Sequence, residues 1–241
     1  FRWAGCMKVA VSWSGGKESC LAFHKAIAQG HQVAFFLTFI LNDWPSLCHP
    51  FSVMTLQSEA LRMRHLMFKV REPYMESYRD VVANLAKEEG IEGIVTGDIR
   101  IDDHRRWMEN ACKGLPVTPI TPLWGTDGSQ LLREVVLAGF KPVFTCVKEP
   151  WFNEKWLGRQ LDGECLGELE DLHRKFGLDL CGENGEYHTM VLDGPMFRKS
   201  IRIEDSSQEK KNSMFLLKVH RLSSQNKTIR GERCVRKNRT M

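Results

Sequence analysis

The run Ser14-Gly15-Gly16-Lys17-Glu18-Ser19 places two hydroxyls, two glycines and one ammonium side by side. Apolar Val9 and Val11 precede it. Cys20, Phe23, Ala26 and Ile27 follow at helical spacing, with a stop near Gly30. That pattern predicts a buried strand, a tight turn and the start of a helix. The first N–H groups of a helix lack partners within it and carry partial positive charge, so they attract anions. Glycines let the backbone close on a phosphate without Cβ obstruction. Lys17 adds a full charge, and Ser14 and Ser19 add donors. The segment reads as a phosphate cradle; the plainer alternative is a strand–turn–helix corner with an exposed lysine. It is not the common P-loop, which needs a further glycine upstream.

Two other clusters carry chemistry. Thr96-Gly97-Asp98 ends an expected strand over Ile91–Thr96. In an open parallel sheet, ligands bind at the carboxyl ends of strands where the strand order reverses. The first and fourth strands flank that reversal, so Asp98 is expected to face the cradle. Its carboxylate suits a Mg²⁺ ion bridging phosphate oxygens, with Glu18 as the second metal candidate; the alternative is that Asp98 caps the next helix. His104, within Asp103-His104-Arg105-Arg106, is placed to steady a departing phosphate group, or else these cations form a solvated helix face. The third cluster is Cys181-Gly182-Glu183-Asn184-Gly185-Glu186-Tyr187-His188-Thr189. Alternation puts Glu186 and His188 on one face if a strand has begun there. Glu183, Glu186 and His188 suit deprotonation of a nucleophile or capture of an ammonium group; a polar hairpin loop is the alternative.

These residues need a scaffold, and the rhythm of the chain supplies one. Val33–Ile40 reads as a second buried strand, followed by a loop from Asn42 to Phe51. A helix is expected over Met54–Leu66, a short strand over Phe68–Arg71 and an amphipathic helix over Tyr74–Glu89 stopped by Gly90. A helix capped by Asp102 or Asp103 runs to Lys113, and Val117–Ile120 is a strand. Strands alternating with helices predict an α/β fold, a doubly wound parallel sheet resembling the Rossmann type. The rhythm changes near Trp124. A smaller mixed α+β region follows, with helices over Asp127–Ala138 and Glu164–Phe176 and the latter burying Leu166, Leu169, Leu172 and Phe176. Strands are expected over Lys141–Val147, Tyr187–Leu192, Lys199–Glu204 and Ser213–Arg221. The expected division is 7–124, 125–222 and a basic, disordered tail over 223–241.

Composition narrows the function classes. Of 241 residues, 42% are hydrophobic and 27% charged, the balance of a soluble globule. No apolar run reaches membrane-spanning length, and residues 1–6 lack the layout of a secretory leader. Eight scattered cysteines form no Cys-x-x-Cys pair, so free thiols in a cytoplasmic setting are expected. The net charge of +4 is concentrated in residues 227–241, where six basic residues face one acid, which leaves the body near −1. A nucleic-acid role for the body is therefore disfavoured. Oligomeric state is open.

The phosphate segment resembles the loop of the ATP pyrophosphatases, usually Ser-Gly-Gly-Lys-Asp-Ser, with Glu18 in place of the aspartate. Taken in order, Ser14–Ser19, Thr96-Gly97-Asp98-Ile99, Pro122-Leu123-Trp124, Leu157-Gly158-Arg159, 182–189 and Leu192-Asp193-Gly194-Pro195-Met196-Phe197 resemble the diphthine–ammonia ligase family. The resemblance covers roughly residues 7–222. Asn184 stands where that family usually has glycine. The resemblance implies an adenine-nucleotide-binding fold, ATP and Mg²⁺ as cofactors, and amidation of the diphthine carboxylate on elongation factor 2 with ammonia. It implies nucleotide contacts from Ser14, Gly15, Gly16, Lys17, Glu18, Ser19, Thr38, Gly97, Asp98 and His104. Catalytic roles fall to Lys17, Glu183, Glu186 and His188. Two other readings stay open: an ATP pyrophosphatase with another acceptor, such as a tRNA-modifying enzyme, and a non-catalytic nucleotide sensor.

Overall fold

The computed structural model describes residues 5–41 and 48–227. The first half alternates strand and helix: β1 (Lys8–Ser12), α1 (Lys17–Ala28), β2 (Gln32–Leu41), α2 (Phe51–Leu61), β3 (His65–Val70), α3 (Tyr74–Glu89), β4 (Gly93–Val95), α4 (Asp102–Cys112) and β5 (Thr118–Ile120). The strands form one parallel sheet in the order β3-β2-β1-β4-β5. Successive side chains of a strand face opposite sides. Val9 and Val11 accordingly pack with Phe36 and Val95, whereas Ala10 packs with Phe35, Leu37 and Ile94. Helices α3 and α4 cover the second face through Tyr78, Val82, Leu85, Met108 and Ala111. Helices α1 and α2 belong to the first. Burial on both faces is why β1 and β2 read as nearly continuous apolar runs.

The second half contributes α5 (Gly128–Leu137), β6 (Pro142–Lys148), α6 (Gly163–Phe176), β7 (Tyr187–Val191), β8 (Lys199–Lys211) and β9 (Met214–Asn226). Its strands form an antiparallel sheet in the order β7-β6-β9-β8. The apolar core is continuous between the two sheets: Val11, Leu21 and Phe36 share one cluster with Leu132, Phe144 and Met190. Among the described residues no helix is long and apolar enough to cross a membrane, and the described cysteines are free thiols.

Several expected boundaries move. Helix α2 covers Phe51–Leu61 rather than Met54–Leu66, because Arg62 turns left-handed (φ 53°) and ends it without a glycine signal. The next strand therefore starts at His65. Asp102 and Asp103 do not cap α4; they occupy its first turn, where carboxylates meet the positive end of the helix dipole. Phe176 lies past the core and is 67% exposed, although it continues the stripe of Leu166, Leu169 and Leu172. Strands β8 and β9 are longer than expected, running to Lys211 and Asn226 around Asn212-Ser213. The added residues of β8, Asp205–Lys211, are exposed throughout, and those of β9, Leu222–Asn226, are exposed or half-buried, so neither shows a hydrophobic alternation to read. Residues 223–226 thus belong to β9, and Lys227 donates to the Arg198 and Gly194 carbonyls. The remainder of the expected tail, and positions 42–47 of the expected loop, lie outside the described residues.

Candidate active site

β1 and β4 are neighbours, with strands leading outward in opposite directions from them. Their carboxyl ends run into the Ser14–Ser19 and Thr96–Asp98 turns. A cleft of about 620 Å³ opens there. Its polar lining comes from Ser14, Glu18, Ser19, Gly97 and Asp98, and its apolar lining from Phe39, Met54, Tyr78, Trp107 and Met108. Thr38, His104, His49 and His188 also line it.

The two turns approach each other as closely as backbone allows. A Cβ on Gly97 would lie 3.0 Å from the Glu18 backbone, so a side chain there would push the turns apart. Gly15 has φ +73°, in the left-handed region that favours glycine, and a Cβ on it would meet Gln57 Oε1 at 2.2 Å. Asp98 Oδ2 accepts from the Thr96 hydroxyl at 2.6 Å, while Oδ1 lies 3.5 Å from His104 Nδ1. His104 itself is 61% exposed. Arg105 stacks on Trp124 and pairs with Glu109, and Arg106 pairs with Asp103. Those two arginines therefore belong to the solvated side of α4. The Thr38 hydroxyl meets the Trp13 carbonyl and His65 Nε2.

Lys17 is placed differently from an exposed phosphate hook. It is 2% exposed, and its ammonium donates to the Cys181 carbonyl at 2.8 Å. The same ammonium lies 2.6 Å from Glu18 Oε1 and 4.4 Å from the centre of the Tyr187 ring. The Glu18 contact is an ion contact off the hydrogen-bond axis, which leaves Oε1 buried without an aligned donor. Lys17 thus ties the glycine turn to the 181–187 loop of the second half.

That loop separates residues the sequence groups together. Strand β7 begins only at Tyr187, so alternation does not yet hold at Glu186. The Glu186 side chain, 3% exposed, accepts from Asn184 N and Nδ2 at 3.1 and 3.2 Å and closes its own turn. Asn184 does not adopt a positive φ; Gly182 and Gly185 supply the left-handed positions, so the asparagine is accommodated. Glu183 lies 3.5 Å from Arg100 Nε and accepts from the Arg100 N–H. His188 alone of the three reaches the cleft lining. Its ring stands edge-on to His49, with centroids 5.1 Å apart. Burial, with the Lys17 charge adding to it, depresses the His188 pKa to about 4. Burial, then His188 and Lys17, takes His49 to about 3. Both imidazoles are neutral at pH 7.

Comparison with known proteins adds a second line. The model of the diphthamide synthase N-terminal domain matches residues 7–119, and that of the C-terminal domain matches residues 127–224. A diphthine–ammonia ligase of Mus musculus is 31% identical over 227 residues, covering 83% of this chain and 84% of that protein. The chain belongs to the diphthine–ammonia ligase family. The Rattus norvegicus member is 29% identical over 83% of this chain and 84% of its own length. The Schizosaccharomyces pombe member is 29% identical over 83% of this chain but only 36% of its own length. A solved structure titled as a predicted subunit of tRNA methyltransferase from Methanocaldococcus jannaschii aligns with TM-score 0.42 and 19% identity, over 78% of this chain and 97% of that one. That likeness is too loose to argue from, and the strand order itself defines the fold.

The residues of the cleft fit the nucleotide and metal that the family implies. The glycine turn packs tightly on β7, where a Cβ on Gly16 would lie 3.1 Å from the Thr189 carbonyl, and it presents Ser14, Glu18 and Ser19 to the cleft. Mg²⁺ commonly takes one or two carboxylates and completes its shell with phosphate oxygens and water. Asp98 and Glu18 supply that number, and the described residues hold no larger ligand cluster. Four contributors escape sequence reading. His49 sits beside Pro50 in a loop with no periodic signal. Trp107 and Tyr78 look like ordinary helix-face residues. Gln57 is a polar residue on the buried stripe Val53, Met54, Ala60, Leu61, and that oddity is the one legible signal.

Proposed function

We propose that the chain is an ATP-dependent amide ligase that converts the diphthine carboxylate on elongation factor 2 to diphthamide, using ammonia and releasing AMP and pyrophosphate. The observation that carries this is a single cleft in which a glycine turn at a helix start, two carboxylates and an aromatic lining meet, in a chain of this family. A carboxylate is a poor electrophile. It therefore attacks the α-phosphorus of ATP, and pyrophosphate departs to leave an acyl-adenylate. Ammonia then attacks the acyl carbon, and AMP and one proton leave.

Each group has a part in this reading. The N–H groups at the start of α1, with Ser14 and Ser19, hold the two outer phosphates. Asp98 and Glu18 would hold Mg²⁺, which when bound neutralises charge on the phosphate oxygens. Phe39, Tyr78, Trp107 and Met108 offer an apolar bed for the base. Lys17 acts from behind the turn as a fixed positive charge. Neutral His188 accepts a hydrogen bond from the incoming nitrogen, while Glu183 and Glu186 hold the loop that presents it. Residues 7–124 carry the nucleotide chemistry and 125–222 the acceptor side. The cytoplasm, where elongation factor 2 works, is the proposed location.

The test is incubation with labelled ATP, Mg²⁺, ammonium and diphthine-bearing elongation factor 2. AMP with an amidated product is expected. ADP with orthophosphate would overturn attack at the α-phosphorus, and AMP without amidation would point to another acceptor.

A further inference from the structure

Gln57 is fully buried, and its side-chain amide joins the Trp13–Gly15 segment to the end of β7. Nε2 donates to the Gly15 carbonyl of the phosphate turn at 2.9 Å and to the Val191 carbonyl at the end of β7 at 2.8 Å. Oε1 accepts from the Trp13 indole at 3.1 Å. The Val191 N–H donates to the same Gly15 carbonyl at 2.9 Å, so that oxygen is held from both halves of the chain. The anchors are rigid: the Trp13 ring stacks on Phe36 at 3.8 Å between centroids and 6° between planes.

A buried amide is unfavourable unless its donors and acceptor are matched. An apolar residue of similar length would continue the α2 stripe at no such cost. What the amide adds is direction. In a trans peptide the C=O and the following N–H point opposite ways. Holding the Gly15 carbonyl inward turns the Gly16 N–H outward, where it donates to the Ser14 hydroxyl at 3.3 Å, and Ser14 lines the cleft.

We propose that Gln57 is a positioning residue of the phosphate turn: together with Val191 it pins the Gly15 carbonyl, sets the Gly16 N–H on the Ser14 hydroxyl that faces the bound anion and makes the shape of the turn depend on the C-terminal sheet. This rests on reading the cleft as the ATP site. Gln57 touches neither phosphate nor acceptor in this scheme; it acts through Gly15.

The test uses the full chain with Gln57→Met and Gln57→Glu. Methionine keeps the volume and loses all three hydrogen bonds. Glutamate keeps the acceptor for Trp13, loses both donors and sets a carboxylate against two carbonyls. Calorimetric binding of inorganic pyrophosphate and of Mg-ATP is measured, along with KM for ATP and for ammonia and the thermal transition. Both variants are expected to weaken pyrophosphate and ATP binding about ten-fold or more, the size of roughly two modest hydrogen bonds. KM for ATP should rise in parallel and KM for ammonia stay within about two-fold. A residue that only packs would lower the melting point and the active fraction while leaving Kd for pyrophosphate unchanged, and that result overturns the proposal. Should Gln57→Met fail to fold, Gln57→Glu binding pyrophosphate like the wild type still overturns it. If the wild type itself binds neither ATP nor pyrophosphate, the functional reading falls and this one with it. If the wild type binds and both variants match it, this one alone falls.

Discussion

Lys17 shows how far a residue's type and its placement can diverge. The sequence offers it as a cation for a phosphate; the structure buries its ammonium among Cys181, Glu18 and Tyr187. Lys17→Met would leave the Cys181 carbonyl and Glu18 Oε1 without their cation. A stability loss of about 1–3 kcal/mol is expected by urea denaturation, together with weakened ATP binding by calorimetry. Unchanged stability with lost ATP binding would mean that the ammonium faces the nucleotide instead. Glu186 sits in the same loop with a different task. Glu186→Ala is expected to spare ATP binding and to remove most amide formation, because the turn presenting His188 opens. Glu186→Gln keeps Oε1 as an acceptor and should retain more of it. Equal loss of ATP affinity in both variants would contradict that division.

At the scale of elements, the site exists because two strand ends meet. The glycine turn follows β1 and the Asp98 turn follows β4, and a parallel sheet that reverses between them brings both to one edge. Gly15→Ala tests the fit. The left-handed φ costs roughly 1–2 kcal/mol for a side-chain-bearing residue, and the methyl would also collide with Gln57. ATP binding below detection in a folded protein is expected, checked by calorimetry alongside far-ultraviolet circular dichroism; binding at the wild-type level would show that the turn is not the cradle. The helix that follows β4 teaches a smaller lesson. Paired aspartates at a helix start look like caps in sequence, yet in α4 they serve the dipole from the first turn.

At the scale of the molecule, the two sheets share a core, and their halves are tied through Gln57, Lys17 and Val191. Residues 7–124 expressed alone are therefore expected to lack a cooperative unfolding transition, since α1 and α2 would present an uncovered apolar face. A sharp two-state melt of that fragment would refute the shared core. Acid should loosen the same seam. His49 and His188 have folded pKa values of about 3 and 4, below the ordinary 6.5. Between those values the unfolded chain binds more protons, so stability rises with pH and levels off above roughly the ordinary histidine pKa. Each histidine contributes a slope of about 1.4 kcal/mol per pH unit in that window. Urea midpoints at acidic and neutral pH should differ accordingly, and replacing both histidines with glutamine should flatten the dependence.

What the sequence determined by itself is what local pattern encodes. Apolar runs of the right length gave the central strands, helical spacing gave α3 with both of its ends, and the order of short motifs marked the family. The glycine turn was legible because its chemistry lies within six consecutive residues. The tertiary structure decided what depends on distant partners. Lys17 turns toward Cys181, Glu186 closes on Asn184, His49 finds His188 across the cleft, and Gln57 bridges two halves. Each of those outcomes depends on contacts between residues far apart in the chain or on a turn shaped by its packing. A side chain's direction in such places follows from what the rest of the fold leaves beside it, and no spacing along the chain records that.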